Sequence, residues 1–457
     1  MRILYCFCIF LLVASCKSGT QQAVPGSDST NTVEELKDHP LWSLQSNIYE
    51  VNMRQYGTNS SFKGFENELK RLRDMGVEIL WFMPITPISV KDRKGTLGSY
   101  YAVRDYRAVN PEYGNMADWK ELVQKAHELG FKVITDWVPN HSGADHPWLT
   151  SHPDFYKRDS AGNAVSAYDW TDTRKLNYDN RELRDSMIAS MKFWVDSTGI
   201  DGFRCDVAGE VPADFWKECI ATLRKDKDLF FLAEADKADL HSAGFDATYG
   251  WSVMNVLYGI YPGKTNLKLL DATLDSLEKV LPANAMRMYF TTNHDENSWQ
   301  GTEFERFGVG YKAFAVWTQT MNRSIPLIYS GQEEPNKKRI QFFEKDPIKF
   351  NKYELAGFYK TLLKERRENE ALATDASFRK VNAGNPEAIY SFIREKDGHK
   401  IAVIINFSKR EQPVRIDDDA LIGEPLNLFM GMKEKLTKGH SFNIEPWGYV
   451  VYDYDGK

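Results

Sequence analysis

The sequence predicts an α/β fold of alternating strands and helices, followed by a separate β-domain. Apolar strand segments such as 77–83 and 131–136 follow helical stripes that a glycine ends. From about residue 373 the pattern changes to short strands with alternating apolar and polar residues. Strand–helix units repeated over about 330 residues are typical of a (β/α)8 TIM barrel. We therefore expect such a barrel at 41–372 and a C-terminal antiparallel β-sandwich domain at 373–457.

Each barrel strand is a short apolar run that follows a helical segment or a turn. The predicted barrel strands are 47–51, 77–83, 131–136, 200–208, 229–233, 244–247, 287–291 and 325–329. About 60 residues separate the third strand from the fourth, where a simple unit needs about 30. Because this stretch is aromatic and has no clear long helix before Glu182, we expect an inserted subdomain at about 141–180.

The N-terminus has the features of a targeting segment. Arg2 precedes an apolar run at 3–14, which is short for a membrane span. The run Leu-Val-Ala-Ser-Cys at 12–16 resembles a bacterial lipobox, in which Cys16 becomes the lipidated N-terminal residue. A plain secretory signal is the alternative. Residues 1–16 are thus predicted to be a lipoprotein signal and 17–40 a flexible tether. The protein is then an exported bacterial lipoprotein, facing the periplasm or the cell surface, whose lipid is its one membrane contact.

Composition excludes some partners. The formal net charge is −6 and the chain has no long basic run, so nucleic acid is not an expected partner. Of five cysteines, Cys205 and Cys219 alone remain after the signal and the lipidation site, so no disulfide framework is expected. The 12 Trp and 22 Tyr suit a protein that stacks against sugar rings. The oligomeric state does not follow from the sequence.

The fourth predicted strand carries two charges on one face. Side chains alternate along a strand, so Arg204 and Asp206 point the same way and Cys205 the other. The pair is either a buried structural ion pair or a carboxylate held ready for chemistry by its neighbour. The strand alone does not decide between the two.

Acidic and histidine side chains also follow the other predicted strands. In a TIM barrel these carboxyl ends form the catalytic face. The residues at this rim are Asp136, Asn140, His141, Asp206, Glu234, His294 and Asp295. Repulsion between clustered carboxylates costs stability, and paired acids are what glycoside hydrolysis requires. Metal-dependent hydrolysis is the rival interpretation, which the absence of a close His-x-His pair disfavours.

Four of these stretches, in order, resemble the signature regions of the α-amylase family of glycoside hydrolases (glycoside hydrolase family 13). They are 136–141 (DWVPNH), 202–206 (GFRCD), 233–235 (AEA) and 293–295 (NHD). Further matches are the tyrosine loop at 101–106 and the eighth-strand segment at 325–333. The resemblance covers about residues 48–452, and the insertion and the last domain correspond to the family's B and C domains.

The resemblance implies roles for three carboxylates. Asp206 is expected to be the nucleophile that forms a glycosyl-enzyme intermediate. Glu234 is expected to be the general acid/base, and Asp295 the transition-state stabiliser that binds sugar hydroxyls. These assignments describe double displacement at an acetal carbon.

The resemblance also implies substrate-binding residues around those carboxylates. Arg204 is expected to keep Asp206 ionised, and Tyr101 to stack on the sugar before the cleaved bond. His141 and His294 are expected to hydrogen-bond that sugar, and Asp136 to support the subsite indirectly. A core histidine at His141 and a packing aromatic at Tyr101 are the alternatives.

The chain departs from many family members directly after Asp206, where the family often has a Lys-His pair. Here Val207-Ala208-Gly209-Glu210 follows, which puts the usual calcium site and leaving-side subsite in doubt. Asn140 matches a calcium ligand of the family, but one Asn does not make an oxygen cage. The chemistry needs no cofactor, and a structural calcium ion stays an open question. Glu210 could instead shape acceptor binding.

The expected function is hydrolysis of α-1,4 bonds in starch, maltodextrin or related α-glucans. An exo-acting α-glucosidase, a neopullulanase-like enzyme and an α-glucan transglycosylase are alternatives on the same scaffold. A non-catalytic glucan-binding lipoprotein is a further alternative. It is disfavoured because Asp206, Glu234 and Asp295 are all present.

Overall fold

A computed structural model describes residues 39–455 of the chain. The predicted signal segment with Cys16, and tether residues 17–38, lie outside the described residues. Within 39–455, no helix has the length and apolar character needed to cross a membrane.

Strands and helices alternate through the first three quarters of the described chain. Strands β1 to β10 are Ile48–Val51, Ile79–Phe82, Lys132–Trp137, His141–Gly143, Thr173–Lys175, Gly202–Cys205, Phe230–Ala233, Ala247–Tyr249, Met286–Met288 and Leu327–Tyr329. Helices α1 to α11 are Phe62–Met75, Met116–Glu128, Trp148–Ser151, Arg181–Thr198, Ala213–Leu223, Asp239–Ser242, Trp251–Ile260, Leu267–Glu278, Glu303–Phe307, Tyr311–Thr320 and Ala356–Glu368.

All of these strands except β4 and β5 form one parallel sheet in the order β10-β1-β2-β3-β6-β7-β8-β9. A parallel bridge between Arg287 and Ser324 joins its two outer strands. The Ile325 N–H also donates to the Arg287 carbonyl at 2.9 Å, so the sheet closes into a barrel. The predicted (β/α)8 barrel is confirmed.

The sixth and seventh barrel strands differ from their predicted bounds. Strand β8 begins at Ala247 rather than at residue 244, and β9 is Met286–Met288 rather than 287–291. Gly244 has a φ of +107° and ends the turn after α6, while Phe245 packs among the helices beside Trp216. The apolar run at 244–247 therefore begins in a turn, and only its last residue, Ala247, belongs to the strand.

Alternation along the strands separates the two faces of the barrel. Side chains such as Ile48, Ile134 and Leu232 form the barrel interior, whereas Phe203 and Cys205 pack against the surrounding helices. Gly202 lies on the inner face with a φ of +156°, and a Cβ there would collide with the carbonyl oxygen of Phe230. The last inward position of each strand opens onto one rim, where the polar residues lie.

The insertion and the last domain are antiparallel. Strands β4 and β5 form a hairpin in which His141 lies opposite Lys175. Strands β11 to β18 are Ser377–Lys380, Ile389–Lys396, His399–Asn406, Gln412–Arg415, Leu426–Asn427, Met432–Lys433, Ser441–Ile444 and Tyr449–Asp453. They form a six-stranded sheet (β11-β12-β13-β18-β15-β16) and a two-stranded sheet (β14-β17) that share one apolar cluster.

Candidate active site

Asp206 and Glu234 lie side by side at the carboxyl ends of two neighbouring strands. Cys205 of β6 is paired with Ala233 of β7, and the Glu234 N–H donates to the Cys205 carbonyl at 3.0 Å. Neighbouring strands run about 4.8 Å apart. The strand register therefore holds the two carboxyl groups within reach of a single sugar carbon.

The guanidinium of Arg204, fully buried, joins three carboxylates. Its Nη1 lies 2.9 Å from Asp136 Oδ1 and 3.0 Å from Asp206 Oδ1, and its Nη2 lies 2.9 Å from Glu234 Oε2. Contacts between a guanidinium and carboxylates hold both the geometry and the charge of the group. Arg204 thus positions the whole acidic group and does not serve Asp206 alone.

The buried carboxylates hold protons more tightly than exposed ones do. Burial raises the pKa of Asp136 to about 6, against the opposing charge of Arg204. Burial and the Glu234 carboxylate raise the pKa of Asp206, and Arg204 again opposes the shift. Arg204 therefore limits, but does not reverse, the effect of burial on the pKa of Asp206.

The backbone after Asp206 is strained where it meets Glu234. Val207 has a φ of +44°, a left-handed conformation that is unfavourable for a β-branched residue. In this conformation the Val207 N–H donates to Glu234 Oε2 at 2.7 Å. The strained turn fixes the Glu234 carboxyl beside Asp206.

His294 connects Asp295 to a buried carboxylate beneath it. Its Nε2 lies 3.2 Å from Asp295 Oδ2 and 2.8 Å from the Tyr101 hydroxyl, and its Nδ1 lies 2.5 Å from Glu50 Oε1. Burial lowers the pKa of His294, but Asp295 and Glu50 outweigh it and raise this pKa well above its usual value. Partial burial raises the pKa of Asp295, but the imidazolium outweighs it and lowers this pKa.

A cavity of about 230 Å³ opens above these groups. Its wall includes five of the predicted site residues: Tyr101, His141, Asp206, Glu234 and Asp295. The side chain of Asp295 is 41% exposed, so it is open to a ligand. Asp136, Arg204 and His294 lie behind this wall and act on its residues.

The two residues predicted to border the first sugar differ in how they are held. The Tyr101 ring stacks on His294, with centroids 5.5 Å apart, and its hydroxyl donates to Asp136 Oδ2 at 3.2 Å. Burial lowers the pKa of His141 to about 3, so this imidazole is neutral at neutral pH. Its Nε2 is buried without a hydrogen-bond partner among the described residues.

The sequence matches the family described as "Alpha amylase, catalytic domain" over residues 47–170 and 166–370, more than half of the chain. The chain belongs to the α-amylase family. It is 26% identical over 398 residues to the α-amylase MalA of Haloarcula japonica. The matched region covers 82% of this chain and 57% of that protein. The chain thus spans little more than half of that relative's length.

Two solved structures of the family are similar over nearly their whole length. An α-amylase from Lactobacillus plantarum is 28% identical with a TM-score of 0.81, covering 90% of this chain and 99% of that one. A noncanonic maltogenic α-amylase, AmyB, from Thermotoga neapolitana is also 28% identical with a TM-score of 0.81, covering 90% and 98%. The barrel and the C-terminal domain of this α-amylase family member are therefore shared with both.

Asn140, which matches a calcium ligand of the family, lies beside His141. The Asn140 side-chain nitrogen lies 3.2 Å from His141 Nδ1, within a buried contact. Among residues 39–455, no group of three or more His, Cys, Asp or Glu side chains could hold a metal ion. Calcium favours six to eight oxygen ligands. Calcium binding at Asn140 stays a prediction.

Glu210 lies apart from the cavity. Its carboxylate is 3.7 Å from Lys175 Nζ on β5, and it is not among the described residues that form the cavity wall. The Lys175 ammonium also lies 5.7 Å from the centre of the Tyr168 ring. A role of Glu210 in acceptor binding stays a prediction.

Sequence reasoning missed several residues of the site. Glu50 is a lone carboxylate within the apolar strand β1, and a charged residue in such a strand indicates a functional role. Trp299, which is 52% exposed, and Phe342 form an aromatic wall with centroids 5.3 Å apart. Lys94 and Asp172 complete the opposite part of the cavity, and their sequence surroundings carried no signal.

Proposed function

We propose that the protein is a retaining glycoside hydrolase that cleaves α-1,4 bonds in starch, maltodextrin or related α-glucans. The observation that carries this proposal is the placement of Asp206 and Glu234 on adjacent strand ends, bridged by Arg204. Retaining enzymes keep their two carboxyl groups about 5–5.5 Å apart, whereas inverting enzymes need about 6.5–9.5 Å to admit a water. Adjacent strand ends favour the shorter separation.

The proposed reaction has two displacements. Asp206 attacks the anomeric carbon while Glu234 gives its proton to the departing glycosidic oxygen, which breaks the C–O bond and leaves a glycosyl ester on Asp206. A water then attacks the same carbon, gives its proton to Glu234 and releases Asp206. Asp295, kept anionic by His294, faces the sugar and stabilises the positive charge of each transition state.

The direct test compares the wild-type protein with Asp206→Asn on soluble starch and maltoheptaose. We expect reducing sugar from the wild type and a loss of at least about 10³-fold in the variant, because the nucleophile is absent. Proton NMR of the first product should show the α-anomer. Equal activity of both proteins, or a β-anomer formed first, contradicts the proposal.

The exo-acting, neopullulanase-like and transglycosylating alternatives share this machinery. The similarity to a structure named a maltogenic α-amylase supports these alternatives as well. Early products from starch, pullulan and cyclodextrin separate them, since internal cleavage gives mixed lengths and exo cleavage gives mainly one. A glucan-binding protein without activity would bind these substrates and release no sugar.

We also propose that the protein is exported and anchored through lipidated Cys16. The lipobox-like run at 12–16 supports this proposal. Metabolic labelling with a fatty acid should mark the wild-type protein and not Cys16→Ala. Labelling of neither, with the protein released in soluble form, supports a plain secretory signal instead.

A further inference from the structure

Three residues of the cavity wall carry a buried polar atom that has no hydrogen-bond partner among residues 39–455. The atoms are Asp206 Oδ2, His141 Nε2 and Asp172 Oδ2. Buried polar atoms normally have a hydrogen-bond partner, so each of these atoms needs an explanation. The first two belong to residues already expected to meet the sugar. Asp172 belongs to none of the signature regions.

Asp172 is fixed in the inserted subdomain directly beside the His141 hairpin. Its backbone carbonyl accepts from the Ala144 N–H at 3.0 Å, and the next residue, Thr173, is paired with Gly143 of β4. The residue is only 2% exposed. The hairpin register therefore places the Asp172 carboxylate on the same part of the wall as His141.

Lys94 reaches this carboxylate from a different part of the chain. It lies in the loop between β2 and α2, and its Nζ is 3.6 Å from Asp172 Oδ1. The same loop carries Tyr101, and its Leu97 N–H donates to the Phe343 carbonyl at 3.0 Å. The loop also packs on the subdomain, where the Gly143 N–H donates to the Val103 carbonyl at 2.7 Å, so Lys94 and Asp172 lie on the same part of the cavity wall.

The position of this pair relative to the reacting bond follows from its neighbours. Lys94 shares its loop with Tyr101, and Asp172 adjoins the hairpin of His141, the two residues expected around the sugar before the cleaved bond. Glu234, which gives its proton to the departing sugar, is held by Val207 at the end of β6. The Lys94–Asp172 pair thus belongs with the retained sugar.

We propose that Lys94 and Asp172 bind the hydroxyl groups of a non-reducing terminal sugar and make the enzyme act at chain ends. This inference rests on the proposed function. An ammonium donates and a carboxylate accepts hydrogen bonds, a combination that suits adjacent sugar hydroxyls. The cavity, at about 230 Å³, is small for a ligand site, which favours the end of a glucan chain over its middle.

The test measures binding in the full chain with Asp206→Asn, which prevents turnover. Calorimetry compares maltotriose with maltotriose whose non-reducing 4- and 6-hydroxyl groups are blocked by an ethylidene group. We expect the free-ended sugar to bind at least about tenfold more tightly, since charge-assisted hydrogen bonds are lost in the blocked one. Adding Asp172→Asn or Lys94→Met should abolish that preference.

The matched control is Asp92→Asn. Asp92 lies on the same loop and pairs with Arg174 of the same subdomain at 2.9 Å, but neither residue is part of the cavity wall. This variant should keep the preference, and circular dichroism should show all variants folded. Equal binding of both sugars by the parent, or a preference that survives Asp172→Asn and Lys94→Met, overturns the inference alone. Binding of neither sugar by the parent overturns the proposed function and the inference with it.

Discussion

Glu50 Oε1 lies 2.5 Å from His294 Nδ1, and both side chains are buried beneath the cavity. The contact joins the first and the seventh barrel strands, and it lies on the side of the imidazole opposite Asp295. Glu50 therefore acts on the substrate through His294 and is a positioning residue. The pKa of His294 is raised by Asp295 and Glu50 against the effect of burial.

Replacing Glu50 by Gln should weaken catalysis mainly on the alkaline side. Protonated His294 adds stability that is fully present below its usual pKa of 6.5 and is lost as pH rises through the raised pKa. Without the Glu50 charge this loss begins at lower pH. We expect the alkaline limb of kcat/KM to move to lower pH, with about a tenfold loss there.

Glu333→Gln is the control for that variant. Glu333 is equally buried and accepts from the Tyr49 hydroxyl at 2.7 Å, next to Glu50, but it is not part of the cavity wall. This variant should lose stability and keep the pH profile of the wild type. A shifted profile in both variants, or in neither, contradicts the role given to Glu50.

Removing the hydroxyl of Tyr101 should separate its two contributions. Tyr101→Phe keeps the ring but loses the contacts to Asp136 and His294, so kcat/KM should fall about tenfold. Tyr101→Ala also removes the ring face, so its kcat/KM should fall further. Tyr100→Phe, whose hydroxyl contacts Gln55 away from the cavity, should stay near wild type. Equal losses in the two Tyr101 variants would argue against stacking on a sugar.

Arg394 should be a main connection between the barrel and the C-terminal domain. It is buried and donates to the carbonyls of Thr320 and Met321 at the end of α10, and to those at 373, 376 and 377 before and in β11. Arg394→Met leaves these carbonyls unpaired and should cost about 3 kcal/mol of unfolding free energy. Denaturant unfolding measures the change, and the exposed Arg379→Met should cost under about 1 kcal/mol. Similar losses in both would refute the connection.

The thiols of Cys205 and Cys219 should be inert in the folded protein. Both side chains are buried, and burial raises the pKa of the Cys205 thiol well above its usual value. In a chain that starts after Cys16, a thiol reagent should modify neither at neutral pH and both after denaturation. Rapid modification of the native protein would show that at least one of the two thiols is accessible, contrary to the packing described.

The sequence by itself determined the eight-stranded barrel and most of the charged residues at the carboxyl ends of its strands. Strand alternation is a local property, so the shared face of Arg204 and Asp206 followed from spacing, and Glu234 and Asp295 followed from strand ends. The bounds of β8 and β9 did not follow. The apolar residues at 244–247 satisfy a turn and a strand equally well, and packing on the helices decides between them.

Only the tertiary structure decided which side chains meet across the barrel. Glu50 and His294 are 244 residues apart, and Lys94 meets Asp172 through a loop and an insertion with no common pattern. The division of Arg204 among three carboxylates and the left-handed Val207 likewise depend on the register of neighbouring strands. The contact between Glu50 and His294 arises when the sheet closes, and the others arise where loops and neighbouring strands meet, so no local periodicity encodes them.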